Sequence, residues 1–326
     1  MDADPLPYDL PEPGAPLRIA FAGQRTYFEP SVMHDPAGDV MPAFFDFRGG
    51  EEIAPLLDGL AAFQPDAIVI FRPQILPSGA LAQLRVPVLG VITEPLPRPE
   101  FEEHPELNFN LAELAKCDPQ NVDRVSTTDP AGWEQAANPL PLWRAHPLPV
   151  DDRLYRAPSA SADPPRVVFI GHSSTHRENT LIGLKHEFDI RHYAHALVGD
   201  ELTAVLDDAD VGIQVHSTQW LATHEPRLLT HLAAGHLVLA ENQVPLYGLE
   251  PGIDYLQYGD KHALSLLVHQ LHARPGAYER VRIRGHHSVQ QFRASRMWPR
   301  LVRDLFDDLR AFGTGRRFTA DAAQSG

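Results

Sequence analysis

The chain has one cysteine, Cys117, in 326 residues. That excludes an internal disulfide framework and fits a reducing compartment. Lysine occurs only at positions 116, 185 and 261, so the basic residues are mostly arginine. Positive charge is scarce overall: 28 Lys and Arg stand against 43 Asp and Glu, a formal net charge of −15. Such a balance argues against broad binding to nucleic-acid backbones, which takes a basic surface. No apolar run reaches the roughly 18 residues that a membrane helix needs. No basic segment precedes an apolar run at the start. Pro5, Pro7, Pro11, Pro13 and Pro16 make residues 1–16 read as a tail rather than a secretion signal. The expected location is the cytoplasm.

What is present is the composition of a globular protein, with 43% hydrophobic and 22% charged residues. The length suits two domains of roughly 150 residues each. Short apolar runs at 17–22, 43–47, 67–71, 86–93 and 123–127 predict strands, and 51–63 has helical spacing. A proline-rich stretch follows, and 151–164 reads as a linker. The alternation then resumes. Strands are expected at 166–170, 190–193, 211–216, 236–240 and 255–258. Helices are expected at 177–187, 201–207, 226–234 and 262–272. From 275 to 312 the pattern is helical, with a break near Ser295–Pro299, and 313–326 reads as a disordered tail. Strands alternating with helices imply α/β architecture: two Rossmann-like domains, 17–150 and 165–312, the second closed by crossing C-terminal helices. Ligands of such sheets bind at the carboxyl ends of the strands, so the cleft between the halves is the expected active site.

Several segments resemble GT-B glycosyltransferases, especially family 4 enzymes and the CgeB-like group. Arg227-Leu-Leu-Thr-His-Leu-Ala-Ala-Gly235 is similar to their Arg-x-x-Glu-x-Leu-Ala-x-Gly helix, and His236–Ala240 to the strand after it. Glu250-Pro-Gly-Ile-Asp-Tyr-Leu-Gln-Tyr258 resembles their Glu-Pro-Gly turn and strand. Phe169-Ile-Gly171 followed by Arg177, and Val211-Gly-Ile-Gln-Val-His216, resemble the first strand with its phosphate-facing loop and a later strand. Ala67–Phe71, Val91–Pro95 and Leu148–Tyr155 are weaker matches. The resemblance runs from about residue 17 to 310 and is most specific over 166–260.

The resemblance implies transfer of a hexose from a nucleoside-diphosphate sugar to an acceptor hydroxyl, with retention and without metal. The leaving diphosphate gathers negative charge, which calls for backbone N–H groups at a helix start and a cation. Arg177 and Arg227 are the expected phosphate-facing catalytic cations, and Glu94 the carboxylate for acceptor or base chemistry. Donor binding is expected from Gly171, His172, Ser173, His195, His216, Thr230, His231 and Gly235, and acceptor binding from Gly23, Arg25 and Tyr27. The family pattern also places two glutamates where this chain has Ala222 and Thr230, and His231 is a candidate substitute. Histidine is dense in the second half, yet no helical His-x-x-x-His with a Glu base and no companion Cys exists, so no metal or other cofactor is expected. The expected partners are the nucleotide sugar and a small-molecule or glycan acceptor. Competing readings are a GT-B binding module that has lost catalysis, a transferase acting on modified nucleic acid, and, more weakly, a sugar-nucleotide epimerase. Oligomeric state is not legible.

Overall fold

The computed structural model describes residues 6–98, 104–132, 140, 142–195, 197–220 and 222–316. The chain divides into two compact units. The first comprises Met1–Phe28, Val32–His146 and Trp298–Gly326; the second comprises Glu29–Ser31 and Pro147–Met297.

The first unit is built on β1 (Leu17–Gly23), β2 (Val40–Asp46), β3 (Ala67–Phe71), β4 (Val88–Ile92), β5 (Arg124–Thr127) and β6 (Leu142–Ala145). All pair in parallel, in the order β2-β1-β3-β4-β5-β6. Every residue of β3 and β4 is buried, as expected of strands covered on both faces. The short α1 (Arg25–Phe28) follows β1, and α2 (Ala54–Phe63) and α3 (Pro105–Leu114) both start with proline in the first turn, where its missing N–H costs nothing. Strand order reverses between β1 and β3, so the loops after these two strands lie side by side. Phe28 stacks on Phe71 there, with ring centroids 4.6 Å apart.

The second unit carries β7 (Val167–Ile170), β8 (Ile190–Tyr193), β9 (Val211–Gln214), β10 (Leu237–Ala240) and β11 (Leu256–Gln257). They too are parallel, in the order β11-β10-β9-β7-β8. The helices are α4 (Thr175–Glu187), α5 (Gly199–Asp207), α6 (Pro226–Ala233), α7 (Lys261–Ala273) and α8 (Glu279–Ser288), followed by α9 (Ala294–Phe312). The reversal here lies between β7 and β9. Leu228, Leu229, Leu232 and Ala233 of α6 are buried in the core under this sheet.

Four expectations are corrected. The second domain does not run to 312, because Trp298 is buried in the first unit, edge-on to Phe21 at 5.3 Å and Phe71 at 5.7 Å. The helical break falls at Phe292–Arg293 rather than 295–299, since Val150 pairs with that backbone: Val150 N–H donates to Phe292 O and Ala294 N–H to Val150 O. Pro299 sits inside α9. Residues 151–164 are no loose linker: Leu154 is buried and Arg156 N–H donates to Ala233 O at 2.9 Å. The flanking tails are held as far as they are described. Tyr8 Oη donates to Asp123 Oδ1 at 2.9 Å, and Arg316 Nη1 reaches Asp123 Oδ2 at 3.1 Å. Thr314 also donates to Asp123, and Arg316 Nη2 to the carbonyls of Leu81 and Leu84. Val88 N–H completes the set at 2.8 Å, so a single buried carboxylate fastens the segments around Tyr8 and Arg316 to β4. Burial beside that carboxylate pushes the Tyr8 phenol well up.

Candidate functional site

In the second unit the reversal between β7 and β9 brings two loops together. Ser174 caps α4 by accepting from Arg177 N–H at 3.3 Å, and its hydroxyl donates to Ser217 O at 2.7 Å. Arg177 is 2% exposed; Nε donates to Val215 O at 3.0 Å and Nη1 to His172 O at 3.1 Å, with His172 Nδ1 also 3.1 Å away. Its guanidinium thus welds the loop after β7 to the end of β9. Burial lowers its pKa, against support from Glu225 and Glu241. Arg177, expected to clamp a diphosphate, spends Nε and Nη1 on the protein's own frame.

Around this frame lies a ring of charge. Glu241, directly after β10, accepts from His216 N–H at 2.6 Å through Oε2, and its Oε1 is 2.7 Å from His176 Nε2. His216, just past β9, is buried; Nε2 lies 2.6 Å from Asn242 O and Nδ1 3.6 Å from Glu225 Oε1. Burial works against charge on His216, but Glu225, the Asn242 carbonyl and Glu241 outweigh it and hold its pKa above the usual value. Glu225 precedes α6 without capping it. Burial opposes ionisation of Glu225, yet His216, Arg227 and Arg177 together bring its pKa down to about 2. Arg227, in the first turn of α6, is 37% exposed, and Glu225 Oε2 at 4.0 Å is its one recorded ionic partner among the described residues. At the start of α6 Pro226 has no N–H, Glu225 N–H donates to Gln243 Oε1 at 2.9 Å and Leu228 N–H to Glu225 O at 3.0 Å, so what this end offers an anion is chiefly the half-exposed Arg227 guanidinium.

Other expected donor residues lie elsewhere. His231 is 1% exposed and packs on Gly212, with Nδ1 3.0 Å from His236 Nδ1. His236 Nε2 lies 2.9 Å from the Leu206 carbonyl and so carries the proton; its Nδ1 therefore accepts from His231 Nδ1–H. Burial lowers both pKa values, that of His236 to about 4. His231 is a neutral core group and takes no lost glutamate's place. Thr230 is buried, its hydroxyl donating back to Pro226 O at 3.4 Å. Gly235 ends α6 at φ +78, where a Cβ would meet Arg156 O and Pro158 Cα at 3.0 Å. Since α6 runs antiparallel to the strands, Gly235 lies at the opposite end from Arg227. Gly171 leaves room for Phe169, whose Cζ would be 2.9 Å from an added Cβ. His172 and Ser173 are exposed in the loop after β7. His195 is exposed beyond the edge strand β8, away from the reversal.

In the first unit, Arg25 N–H donates to Asp46 Oδ1 at 2.8 Å, and Tyr27 is 54% exposed beside it. A Cβ on Gly23 would approach that of Phe71 to 2.9 Å, so this glycine permits the close packing of β1 on β3. Glu94, two residues past β4, is ion-paired with Arg72 Nε and accepts from Gln74 Nε2 at 3.4 Å. Arg72 follows β3 with φ 58, a left-handed conformation that non-glycine residues seldom hold. Among the described residues no group of three or more His, Cys, Asp or Glu is placed to hold a metal ion. No helix among them is long and apolar enough to cross a membrane.

No family model matches the chain, and no curated protein matches it. Solved structures do. The Anabaena protein HepE in complex with UDP-glucose aligns with a TM-score of 0.56 at 10% identity, over 89% of this chain and 100% of that one. Sucrose-phosphate synthase from Thermosynechococcus elongatus gives 0.54 at 12% identity, over 89% and 99%. AviGT4, a glycosyltransferase involved in avilamycin A biosynthesis, gives 0.54 at 11% identity, over 91% and 98%. The two Rossmann-like units are those of the GT-B fold.

Within the second GT-B unit the structure brings together Arg177, His172, His216 and Arg227, and it separates Thr230, His231, Gly235 and His195 from them. Three members of the ring were not among the residues expected from the sequence: Glu225, Glu241 and His176. One signal was available. His172 and His216 stand out as polar residues just past strands, and Glu241 follows β10 in the same way.

Proposed function

We propose that this protein is a glycosyltransferase that moves a hexose from a nucleoside-diphosphate sugar to an acceptor hydroxyl, with the donor held by the second unit. The observation carrying the proposal is the half-exposed Arg227 in the first turn of α6, at the strand-order reversal of a GT-B unit. There the guanidinium, with the positive end of the helix dipole behind it, meets the charge that develops on the leaving diphosphate. Arg177 fixes the two loops, and His172 and Ser173 supply donors in the adjoining loop. Glu241 is the carboxylate available to sugar hydroxyls, in place of those absent at Ala222 and Thr230. In the first unit, Arg25, Tyr27 and the Arg72–Glu94 pair form the acceptor side. Retention of anomeric configuration, independence of metal and a cytoplasmic location belong to the same reading.

The test is calorimetric titration with a panel of UDP-, GDP- and ADP-sugars, followed by assay of nucleotide release. Silence across the panel sinks the proposal. Arg227→Ala is expected to weaken donor binding by about 2 kcal/mol, roughly thirtyfold, the worth of a charge-assisted hydrogen bond. It should change unfolding stability by less than about 0.5 kcal/mol, as for other partly exposed side chains. A second reading, a binding module without turnover, is favoured by Thr230, whose hydroxyl is turned back onto Pro226 O. It predicts nucleotide binding, no nucleotide release and no transfer.

A further inference from the structure

His216 is held in a geometry that leaves little choice of protonation state. Its Nε2 lies 2.6 Å from the Asn242 carbonyl, which can only accept, so Nε2 carries a hydrogen. A neutral ring would then aim the bare lone pair of Nδ1 at Glu225 Oε1, 3.6 Å away. Nδ1 is buried with no hydrogen-bond partner, and a lone pair facing a carboxylate there is repulsive. A second proton on Nδ1 turns that repulsion into an ion pair. The groups facing this ring are few. Glu225 and, beyond it, Arg227 approach from the start of α6, and Glu241 from the end of β10. His176 and Arg177 of α4 reach the ring's surroundings through Glu241 and Val215 O.

Glu225 poses a difficulty for a diphosphate at α6. Its carboxylate stands at the helix start, 4.0 Å from the guanidinium that a phosphate would use. Left alone, it both repels the phosphate and occupies Arg227.

We propose that His216 is a positioning residue for the donor diphosphate: as an imidazolium it neutralises Glu225, which leaves the charge of Arg227 to the phosphates. This rests on the donor site proposed above. The direction of its titration agrees with the geometry, since burial opposes its charge but Glu225 and Glu241 hold its pKa above 6.5. The affinity for a nucleoside diphosphate should therefore fall as pH rises and the ring loses its proton. The exposed anion of Glu225 is worth about tenfold in affinity or more at this range of distances.

The experiment is titration calorimetry with UDP, GDP and ADP between pH 7 and 9.5, where the terminal phosphate is already ionised. Wild type should lose about tenfold in affinity across that range. His216→Asn should be weak at all pH values, and Glu225→Gln should bind well with a flat profile. The double variant should regain the affinity lost by His216→Asn. Circular dichroism and melting temperature check that each variant is folded; if His216→Asn is not, the profile of Glu225→Gln decides alone. A flat wild-type profile, a sloping Glu225→Gln profile or failure of rescue in folded protein overturns the role of His216. Failure of wild type to bind any of the three nucleotides at any pH overturns the donor site itself, a distinct result.

Discussion

Removing the Asp123 carboxylate should unfasten the segments around Tyr8 and Arg316 at once. Its two oxygens accept from Tyr8 Oη, Val88 N–H and Arg316 Nη1 at 2.8 to 3.1 Å, and from Thr314. The side chains of Arg316 and Asp123 are 1% and 0% exposed, so no water replaces the lost partner. Asp123→Ala strands a buried guanidinium, which costs about 3–5 kcal/mol. Loss of the Tyr8 and Val88 acceptors adds about 1 kcal/mol each, for a total near 5 to 7 kcal/mol. That is a large part of the roughly 5–15 kcal/mol by which folded proteins are stable. Urea unfolding at neutral pH measures it. Limited proteolysis should show residues 6–16 and 313–316 becoming cleavable together. The companion variant Asp123→Leu with Arg316→Leu removes both charges and should regain most of the loss, since a buried pair is cheaper to delete whole than by halves. A change below about 1 kcal/mol for Asp123→Ala, or a double variant as weak as the single, would refute this account.

Three further outcomes concern the second unit. Gly212→Ala places a Cβ about 2.6 Å from His231 Nδ1, on a ring pinned by His236, and should cost about 1–3 kcal/mol by overpacking. Gly183→Ala in α4, where nothing lies within 4 Å of the added carbon, should instead stabilise by about 0.5–1 kcal/mol; paired melting curves read both. The pKa of His236 is lowered from 6.5 to about 4, so the unfolded chain takes up the proton first. Its neutral form stabilises the fold fully above pH 6.5, and that contribution drains as pH falls toward 4, at about 1.4 kcal/mol per pH unit. Urea midpoints at pH 7 and pH 5 should converge in His236→Gln relative to wild type, and parallel slopes would count against the assignment.

The alternation of apolar runs carried the two parallel sheets, because a strand buried on both faces leaves an unbroken signature such as Ala67–Phe71. β6 left none: all four of its residues are only half-buried. The place of Trp298 was invisible for another reason. Its partners Phe21 and Phe71 are more than 200 positions away, and nothing local distinguishes a tryptophan that packs forward from one that packs back. In the site, Arg227 was legible as the first residue of the Arg-x-x-Glu-x-Leu-Ala-x-Gly pattern. His231 and Thr230 were not separable from it, since α6 is buried from Leu228 to Ala233 and its pattern names no ligand face. Glu225 carried no such signal, since its chemistry comes from His216 across the loop before α6 and from Arg177, 48 positions back in the chain and near in space.

Arg72 is a place where durability and use pull apart. A left-handed residue with a side chain holds about 1–2 kcal/mol of strain, which glycine would relieve. Arginine is kept there, and what it gives is the ion pair to Glu94 at the end of β4. A laboratory lineage selected for heat tolerance alone has an easy gain at this position. Selected for the transfer proposed above, the same lineage should hold on to its arginine, so the two regimes would write different letters at one site.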